Sequence, residues 1–212
     1  VLDGDYKSIR NFSLKTSGDN IGFFSFVNNY GSISNLVFDN PKINVLGDLT
    51  NQNVGVVAGY VRGFSIISNI SVNNLNISAP VTNVGGAIGK SWDSYIHNIE
   101  TSGRVSGGSA VGGIIGYSFG DEEIIASTSH CKVAGIEGKD TNYGNFVGGI
   151  IGRMHGGNLL KDLTFLGAVS GRSGVGGLFG LLNEVKSRID SGQLLVKSLF
   201  STGKTVASGV GA

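Results

Sequence analysis

Apolar residues along this chain occur in short groups with strand-like spacing. The order apolar, small polar, apolar recurs in segments such as Ile33-Ser34-Asn35-Leu36 and Ile67-Ser68-Asn69-Ile70. Gly, Ser, Asn and Asp separate the groups, and no group keeps the 3.6-residue period of an amphipathic helix. The pattern therefore predicts an all-β protein built from many short strands.

A glycine-rich hexapeptide repeats along the whole chain. Its clearest copy, VGGIIG, occurs at residues 111–116 and again at 147–152, and related copies begin at residues 21, 54, 84, 175 and 210. Each repeat unit also holds two further β-rich pieces, as in a coil that bends three times per turn. We therefore expect a right-handed parallel β-helix, a solenoid of about seven Gly-rich rungs, where a rung is one turn of the coil.

Stacked rungs place equivalent residues in columns, because each strand pairs with its copy about 4.8 Å away along the axis. The valine that begins each hexapeptide is expected to form a core column. The hexapeptide glycines are expected to permit tight bends or positive φ where a Cβ would collide. Asparagine amides can hydrogen-bond along stacked strands, so we expect an asparagine column as well. Its predicted members are Asn11, Asn35, Asn69 and Asn98, followed by Asp162 and Ser198.

The composition agrees with a solenoid. The 212 residues include 36 Gly and 2 Pro, and 40% of them are apolar. The glycines lack the three-residue period of collagen, and the apolar content with low charge argues against disorder. We expect one β-helix repeat domain, residues 1–212, that is a fragment of a larger protein. The longer, more charged segment 181–193 is expected to be an insertion or short helix at one corner.

Charge and cysteine content limit the classes of partner. The formal net charge is +1, and the 16 basic and 15 acidic residues form no runs, which argues against nucleic-acid and anionic-membrane partners. The single cysteine, Cys131, excludes a disulfide-stapled scaffold. No segment reaches the roughly 18 apolar residues of a membrane span. We therefore expect no nucleic-acid partner and no membrane insertion.

The repeats resemble the GLUG-motif family, named for a Gly-Leu-apolar-Gly core. This core occurs as Gly177-Leu178-Phe179-Gly180 and as Gly-Ile-Ile-Gly at 113–116 and 149–152. The early repeats depart from it, with Phe24-Ser25-Phe26 in place of apolar-apolar-Gly. In that family the repeats occur in secreted or surface bacterial proteins, including filamentous-haemagglutinin-like adhesins, and beside immunoglobulin A metallopeptidase domains. The resemblance implies a secreted or cell-surface location in a bacterium.

The motifs that could carry chemistry are incomplete. Residues 116–120 match the G-x-S-x-G nucleophile elbow, but that motif needs a strand-to-helix turn, a histidine and an acid. His97, His130, His155 and Cys131 lack the spacing of zinc ligands. Polysaccharide-cleaving β-helix enzymes need paired carboxylates, and the acidic residues here fall on different repeat positions. We therefore expect no enzymatic activity, no metal and no cofactor.

Aromatic and cationic residues follow the hexapeptide in successive rungs. Their side chains suit the apolar faces and hydroxyls of sugars, or the hot spot of a partner protein. The alternative is that the rings cover a corner of the core. The predicted ligand-binding residues are Tyr60, Lys90, Trp92, Tyr95, Tyr117 and Arg153, with Arg62, Phe119 and His155 nearby.

These observations predict a non-catalytic adhesin or spacer segment that binds a host or cell-surface protein or a glycan. Flanking repeats or another chain are expected at the exposed ends of the solenoid, because unpaired strand edges need partners. Three alternatives stay open. They are a repeat arm of a secreted protease, a phage or secreted polysaccharide-binding protein, and a polysaccharide-cleaving β-helix enzyme.

Overall fold

The computed structural model describes residues 1–46, 52–136, 146–156, 159–183, 195–197, 200–201 and 204–207. The first three rungs contain short strands joined by turns. In the first rung these are β1 (Leu2–Arg10), β2 (Ser13–Thr16), β3 (Asn20–Ile21) and β4 (Phe24–Val27). In the second they are β5 (Ser32–Asp39), β6 (Lys42–Val45), β7 (Asn53–Val54) and β8 (Ala58–Arg62). In the third they are β9 (Ile66–Ala79), β10 (Asn83–Gly85) and β11 (Ile88–Trp92).

The later rungs repeat this order. The fourth contains β12 (Tyr95–Gly107), β13 (Ala110–Gly112) and β14 (Ile115–Phe119). The fifth contains β15 (Glu123–Gly135), β16 (Phe146–Gly148) and β17 (Ile151–His155). The sixth contains β18 (Leu159–Phe165), β19 (Ala168–Gly171), β20 (Val175–Gly176) and β21 (Phe179–Asn183). The described part of the seventh contains β22 (Leu195–Lys197), β23 (Phe200–Ser201) and β24 (Lys204–Ala207).

The strands form three parallel sheets that run along the solenoid axis. The first sheet has the order β1-β5-β9-β12-β15-β18-β22, and β2, β6, β19, β23 and β24 also pair within it. The second sheet is β3-β7-β10-β13-β16-β20, and the third is β4-β8-β11-β14-β17-β21. Each strand pairs in parallel with its counterpart one rung away, as β11 does with β8 and β14. This arrangement confirms the parallel β-helix.

Inward-facing side chains fill the coil in columns. The expected valine column is confirmed from the second to the fifth rung, where the hexapeptide valines pair from rung to rung and are fully buried, and Val175 continues it half-buried. Its buried members from the second to the fifth rung are Val54, Val84, Val111 and Val147. Ile67, Ile96, Ile124 and Leu160 form an equivalent buried column in the first sheet. Among the described residues, no helix is long and apolar enough to cross a membrane.

Asparagines form a hydrogen-bonded ladder on the first sheet. Asn98 Nδ2 donates to Asn69 Oδ1 at 2.9 Å, and Asn69 Nδ2 donates to Asn35 Oδ1 at 2.9 Å. The φ angles of Asn35, Asn69 and Asn98 are +56°, +54° and +53°. Asparagine tolerates this left-handed conformation better than most residues, so one residue type serves both the bend and the ladder. Ala126 and Asp162 continue the column with positive φ.

Asn11 does not belong to this column, so its predicted place is wrong. Arg10 lies opposite Asp39, and the backbone N–H of Asn11 donates to the carbonyl oxygen of Asp39 at 2.9 Å. Asn11 therefore stacks beside Asn40, at the end of the strand and not at its centre. The strand that pairs with β5 begins at Leu2, which lies opposite Ile33, so the segment Ile9 to Asn11 lies further along the strand, beyond Leu36.

Close packing, and not backbone φ, explains the hexapeptide glycines. Among the described residues, the glycines with positive φ are Gly63, Gly103, Gly120 and Gly156, and none of these four belongs to a hexapeptide. A Cβ on Gly112 would overlap the carbonyl oxygens of Ile115 and Ile150. A Cβ on Gly116 would meet the backbone N of Val84 at 2.5 Å. The expected collision is confirmed and the expected positive φ is wrong, because the second and third sheets approach closely at this bend.

Part of the predicted corner insertion is a strand. Residues 181–183 belong to β21, and residues 184–193 lie outside the described part of the chain. Ser198 and the last hexapeptide copy, which begins at residue 210, also lie outside it.

The ladder can be tested by opposite substitutions in one column. Asn69→Ala removes two hydrogen bonds of about 1 kcal/mol each and leaves alanine in a left-handed conformation, so we expect a loss of about 3 kcal/mol in the free energy of unfolding. Ala126→Asn introduces a side-chain amide that can donate a hydrogen bond to Asn98. We expect this substitution to raise the melting temperature. Denaturant and thermal unfolding measure both effects. Equal stabilities for the three proteins would contradict a structural role for the ladder.

The packing role of the hexapeptide glycines can be tested with Gly112→Ala. The new methyl group would overlap two backbone carbonyls, so we expect a loss of at least about 3 kcal/mol in the free energy of unfolding. Gly18→Ala is the matched control, because its Cβ would find Thr16 Oγ1 as nearest atom, at 3.7 Å. We expect the control to change stability by less than about 1 kcal/mol. A similar loss in both variants would show that close approach is not the reason for Gly112.

Candidate ligand-binding surface

The third sheet presents alternate residues to the outside. Because successive residues of a strand point to opposite faces, the outward residues of β14 are Tyr117 and Phe119, and Ser118 between them faces the core. Ser118 is fully buried, as is Ser91 at the equivalent position of β11. The serine of the G-x-S-x-G match therefore points away from solvent.

The structure brings four of the six predicted ligand-binding residues into one column, as their repeat positions suggest. Tyr60 pairs with Lys90, Lys90 with Tyr117, and Tyr117 with Arg153, one residue per rung. The Lys90 Nζ lies 5.1 Å from the ring centroid of Tyr60 and 5.5 Å from that of Tyr117. The Arg153 guanidinium carbon lies 5.2 Å from the Tyr117 ring. Cations and rings thus alternate within cation–π range.

Partial burial in this column changes the acid–base properties of two side chains. Desolvation lowers the pKa of Lys90, because the neighbouring rings displace water from the ammonium group. Desolvation also raises the pKa of Tyr60, and the Arg62 guanidinium opposes that rise. The cations are therefore held by ring faces and are less hydrated than free surface lysines.

A second outward column lies two residues further along each strand. Arg62 pairs with Trp92, Trp92 with Phe119, and Phe119 with His155. The Trp92 and Phe119 rings meet edge to face with centroids 5.5 Å apart, and Phe119 and His155 lie 5.3 Å apart. Trp92 is 40% exposed. We call the two columns together the aromatic surface, which comprises Phe26, Tyr60, Arg62, Lys90, Trp92, Tyr117, Phe119, Arg153 and His155.

Tyr95 does not lie on the aromatic surface. The chain bends between Trp92 and Tyr95, with Asp93 at φ +51°, and Tyr95 begins β12 in the first sheet. Among the described rings, Tyr95 contacts Phe64 at 6.5 Å and His97 at 6.5 Å. Its predicted place beside Trp92 is therefore wrong, because the bend turns its side chain onto the neighbouring sheet.

Phe26 belongs to the aromatic surface although its repeat position did not indicate this. It pairs with Tyr60, and their ring centroids lie 5.0 Å apart. The Arg62 guanidinium carbon lies 4.8 Å from the Phe26 ring. Alignment by sequence placed Phe26 opposite Gly59. The first rung is one residue shorter here, since Ile21 pairs with Val54 but Phe24 pairs with Ala58.

The other polar candidates occupy separate places. His97 Nε2 lies 2.9 Å from Glu123 Oε1, and His130 Nε2 lies 3.4 Å from Glu100 Oε1, both on the first sheet. Cys131 is buried, and desolvation raises the pKa of its thiol. Within the described ranges, no group of three or more His, Cys, Asp and Glu side chains converges as metal ligands would.

Glu122 is a buried carboxyl at the bend between the third and first sheets. It is 2% exposed, and desolvation raises its pKa well above the usual value, with the negative charge of Asp93 adding to the rise. A neighbouring Ser91 hydroxyl opposes the shift. The native state therefore favours the protonated acid.

The fold and this surface together define a class: a parallel β-helix repeat domain with a ring-and-cation face. No protein-family profile matches the chain. It is 33% identical to halomucin of Haloquadratum walsbyi (strain DSM 16790 / HBSQ001) over 153 residues, which cover 66% of this chain and 2% of halomucin. The crystal structure of an immunoglobulin A1 protease-like protein from Bacteroides ovatus is similar in fold. Its TM-score is 0.54 at 18% identity, over 98% of this chain and 67% of that chain.

The buried acid predicts a pH dependence of stability. Above the usual carboxyl pKa of 4.5 the unfolded chain ionises at Glu122, whereas the folded protein keeps the proton, so this group lowers stability as pH rises. Glu122→Gln is neutral at every pH. We expect its melting temperature to exceed that of the wild type by a margin that grows between about pH 5 and pH 8. A margin that shrinks over this range would contradict the burial effect.

Proposed function

We propose that this chain is a non-catalytic repeat segment of a large secreted or cell-surface protein, and that it binds a glycan through the aromatic surface. The observation that carries the proposal is the alternation of rings and cations over successive rungs of one sheet. Planar rings stack on the apolar faces of sugars, and cations held beside them can donate hydrogen bonds to hydroxyl groups. A row with one contact group per rung suits an extended ligand that lies along the axis.

The exposure of individual side chains separates binding from packing roles. Tyr60 and Lys90 are half-buried, and their contacts with each other make them supports of the surface. Trp92 is 40% exposed and meets the Phe119 ring edge to face, and its exposed area is open to a ligand. We therefore assign Trp92 the main contact with the glycan. We assign the first column, which contains Tyr60 and Lys90, a supporting role in the surface.

The comparisons support the proposed location. Sequence similarity to a short stretch of halomucin is consistent with one repeat region inside a very long chain. The fold shared with the immunoglobulin A1 protease-like protein supports a second candidate, the non-catalytic arm of a secreted protease. The two candidates differ in the sequence beside the repeats. A zinc-binding HExxH motif in the same gene would favour the protease arm, and further repeats or a surface anchor would favour the adhesin.

The binding role predicts a specific effect of Trp92→Ala. Because Trp92 is 40% exposed, we expect the melting temperature to stay within a few degrees of wild type and the attachment to a glycan array to weaken about tenfold. Tyr6→Ala is the matched control, since Tyr6 is an aromatic residue of the first sheet with 66% exposure. We expect the control to bind like the wild type.

Two outcomes would contradict the proposal. One is the absence of any bound glycan on the array for the wild type. The other is a large fall in the melting temperature of Trp92→Ala without a change in binding, which would assign the ring to packing alone.

A further inference from the structure

A second surface with a regular arrangement of side chains lies on the outer face of the first sheet, away from the aromatic surface. It is formed by β2 and β6, by the last residues of β9, β12 and β15, and by β19 and β24. Inward residues of these strands are buried, as Ile77, Val105 and Val133 show. The residues between them point outward and form two parallel columns.

Basic residues recur in these two columns. In the first column Lys42 pairs with Asn76, Asn76 with Arg104, and Arg104 with Lys132. Ala168 and Lys204 continue its register. The second column contains Lys15, followed by Asn44, Ser78, Ser106, Ala134 and Ser170. We call Lys15, Lys42, Arg104 and Lys132 the basic stripe.

No acidic residue occupies either column at any of these positions. Arg104 and Lys132 are exposed on adjacent rungs, and neither has a carboxylate partner among the described residues. Adjacent like charges that lack a counter-ion raise the local positive potential. The stripe is therefore a cationic surface, although the whole chain carries a net charge of only +1.

The stripe passes through a shallow groove. Two adjoining depressions of about 290 and 440 Å³ share Arg104 and Lys132 in their walls. Ser106, Ala134 and Ser170 line the first, and their small side chains leave it open. The second lies where β9 and β12 shift register, beside Gly103 with φ +126°. Asn76 at its edge offers an amide for hydrogen bonds.

We propose that the basic stripe binds an acidic polysaccharide laid along the solenoid axis. From Lys42 to Lys132 the stripe spans three rung steps, or about 14 Å, with cations one or two steps apart. This geometry suits a linear chain that carries carboxylate or sulfate groups at intervals. Arg104 and Lys132 would bind the acidic groups, and the serines and asparagines beside them would hydrogen-bond the sugar hydroxyls.

The chemistry of the stripe favours a polysaccharide over other polyanions. Neither column contains an aromatic ring, whereas single-stranded nucleic acids bind on stacking platforms. Duplex nucleic acid carries one charge per about 1.7 Å, far denser than the cations here. Exposed apolar residues that could enter a lipid surface are absent from the two columns, as read from the described strands.

The test compares two double variants that lose the same charge. Arg104→Gln with Lys132→Gln removes the centre of the stripe, and Lys7→Gln with Lys161→Gln removes two cations that pair with Asp5 and Asp162 elsewhere. Binding of each full chain to immobilised polygalacturonate, dextran sulfate and neutral dextran is measured at low and physiological salt. Trp92→Ala is measured in parallel.

We expect the wild type to bind at least one of the two acidic polymers, more weakly at higher salt, and not neutral dextran. The stripe variant is expected to lose affinity at least about tenfold, and the matched control less than about twofold. Trp92→Ala is expected to keep acidic-polymer binding, so failure of this proposal and failure of the aromatic surface are distinguishable. Equal losses in both double variants, or no binding to either acidic polymer, would overturn the proposal. Tighter binding to duplex DNA or to phosphatidylserine vesicles would overturn it too.

A substitution that adds charge serves as a control for misfolding, because misfolding would reduce binding and not increase it. Ala168 follows Lys132 in the first column, one rung further along the axis. Ala168→Lys is expected to strengthen binding to the acidic polymer several-fold, and Ala168→Glu to weaken it, with similar melting temperatures for the two variants. The opposite order of affinities would contradict the stripe.

Discussion

Parallel pairing between equivalent residues of successive rungs is the constraint on which this structure depends. Each backbone N–H and C=O of a strand bonds to a neighbouring rung about 4.8 Å away, so every side chain touches its own repeat counterparts above and below. A residue type that recurs at one repeat position must therefore pack well against copies of itself on the neighbouring rungs. The asparagine ladder, the valine column and the hexapeptide glycines are three solutions to this requirement.

The same constraint determines how function is arranged. A polar or aromatic residue that faces outward becomes one member of a row, and the row gives a surface that no single repeat contains. On the third sheet the result is an alternation of rings and cations, in which Lys90 lies between two aromatic rings and Arg153 lies against one. On the first sheet it is a line of cations without carboxylates. The two surfaces lie on different sheets, so one solenoid can contact two kinds of ligand.

Much of the fold could be predicted from the sequence because the hexapeptide copies are regular. The three β-rich pieces per unit, the rung count and the stacking of Tyr60, Lys90, Tyr117 and Arg153 all follow from the repeat spacing. Local irregularities account for the errors. In the first rung Leu2, and not Ile9, lies opposite Ile33, which places Asn11 in a different column, and a one-residue deletion brings Phe26 opposite Tyr60. The bend before Tyr95 places it on another sheet, and spacing alone does not locate bends to one residue.

The basic stripe was missed for a different reason. Lys42, Arg104 and Lys132 are far apart in sequence, so a search for runs of charge finds none, and only the register of the rungs brings them together. In a solenoid, charged residues therefore have to be grouped by their column in the stacked rungs, and not by their distance in the sequence.

Hydrogen–deuterium exchange of the full chain, with and without a glycan that it binds, tests most directly whether ligand contact follows the columns. The account predicts slower exchange together in β8, β11, β14 and β17, at equivalent positions of four rungs, with the second sheet unchanged. Slower exchange confined to one rung, or to the second sheet, would contradict it.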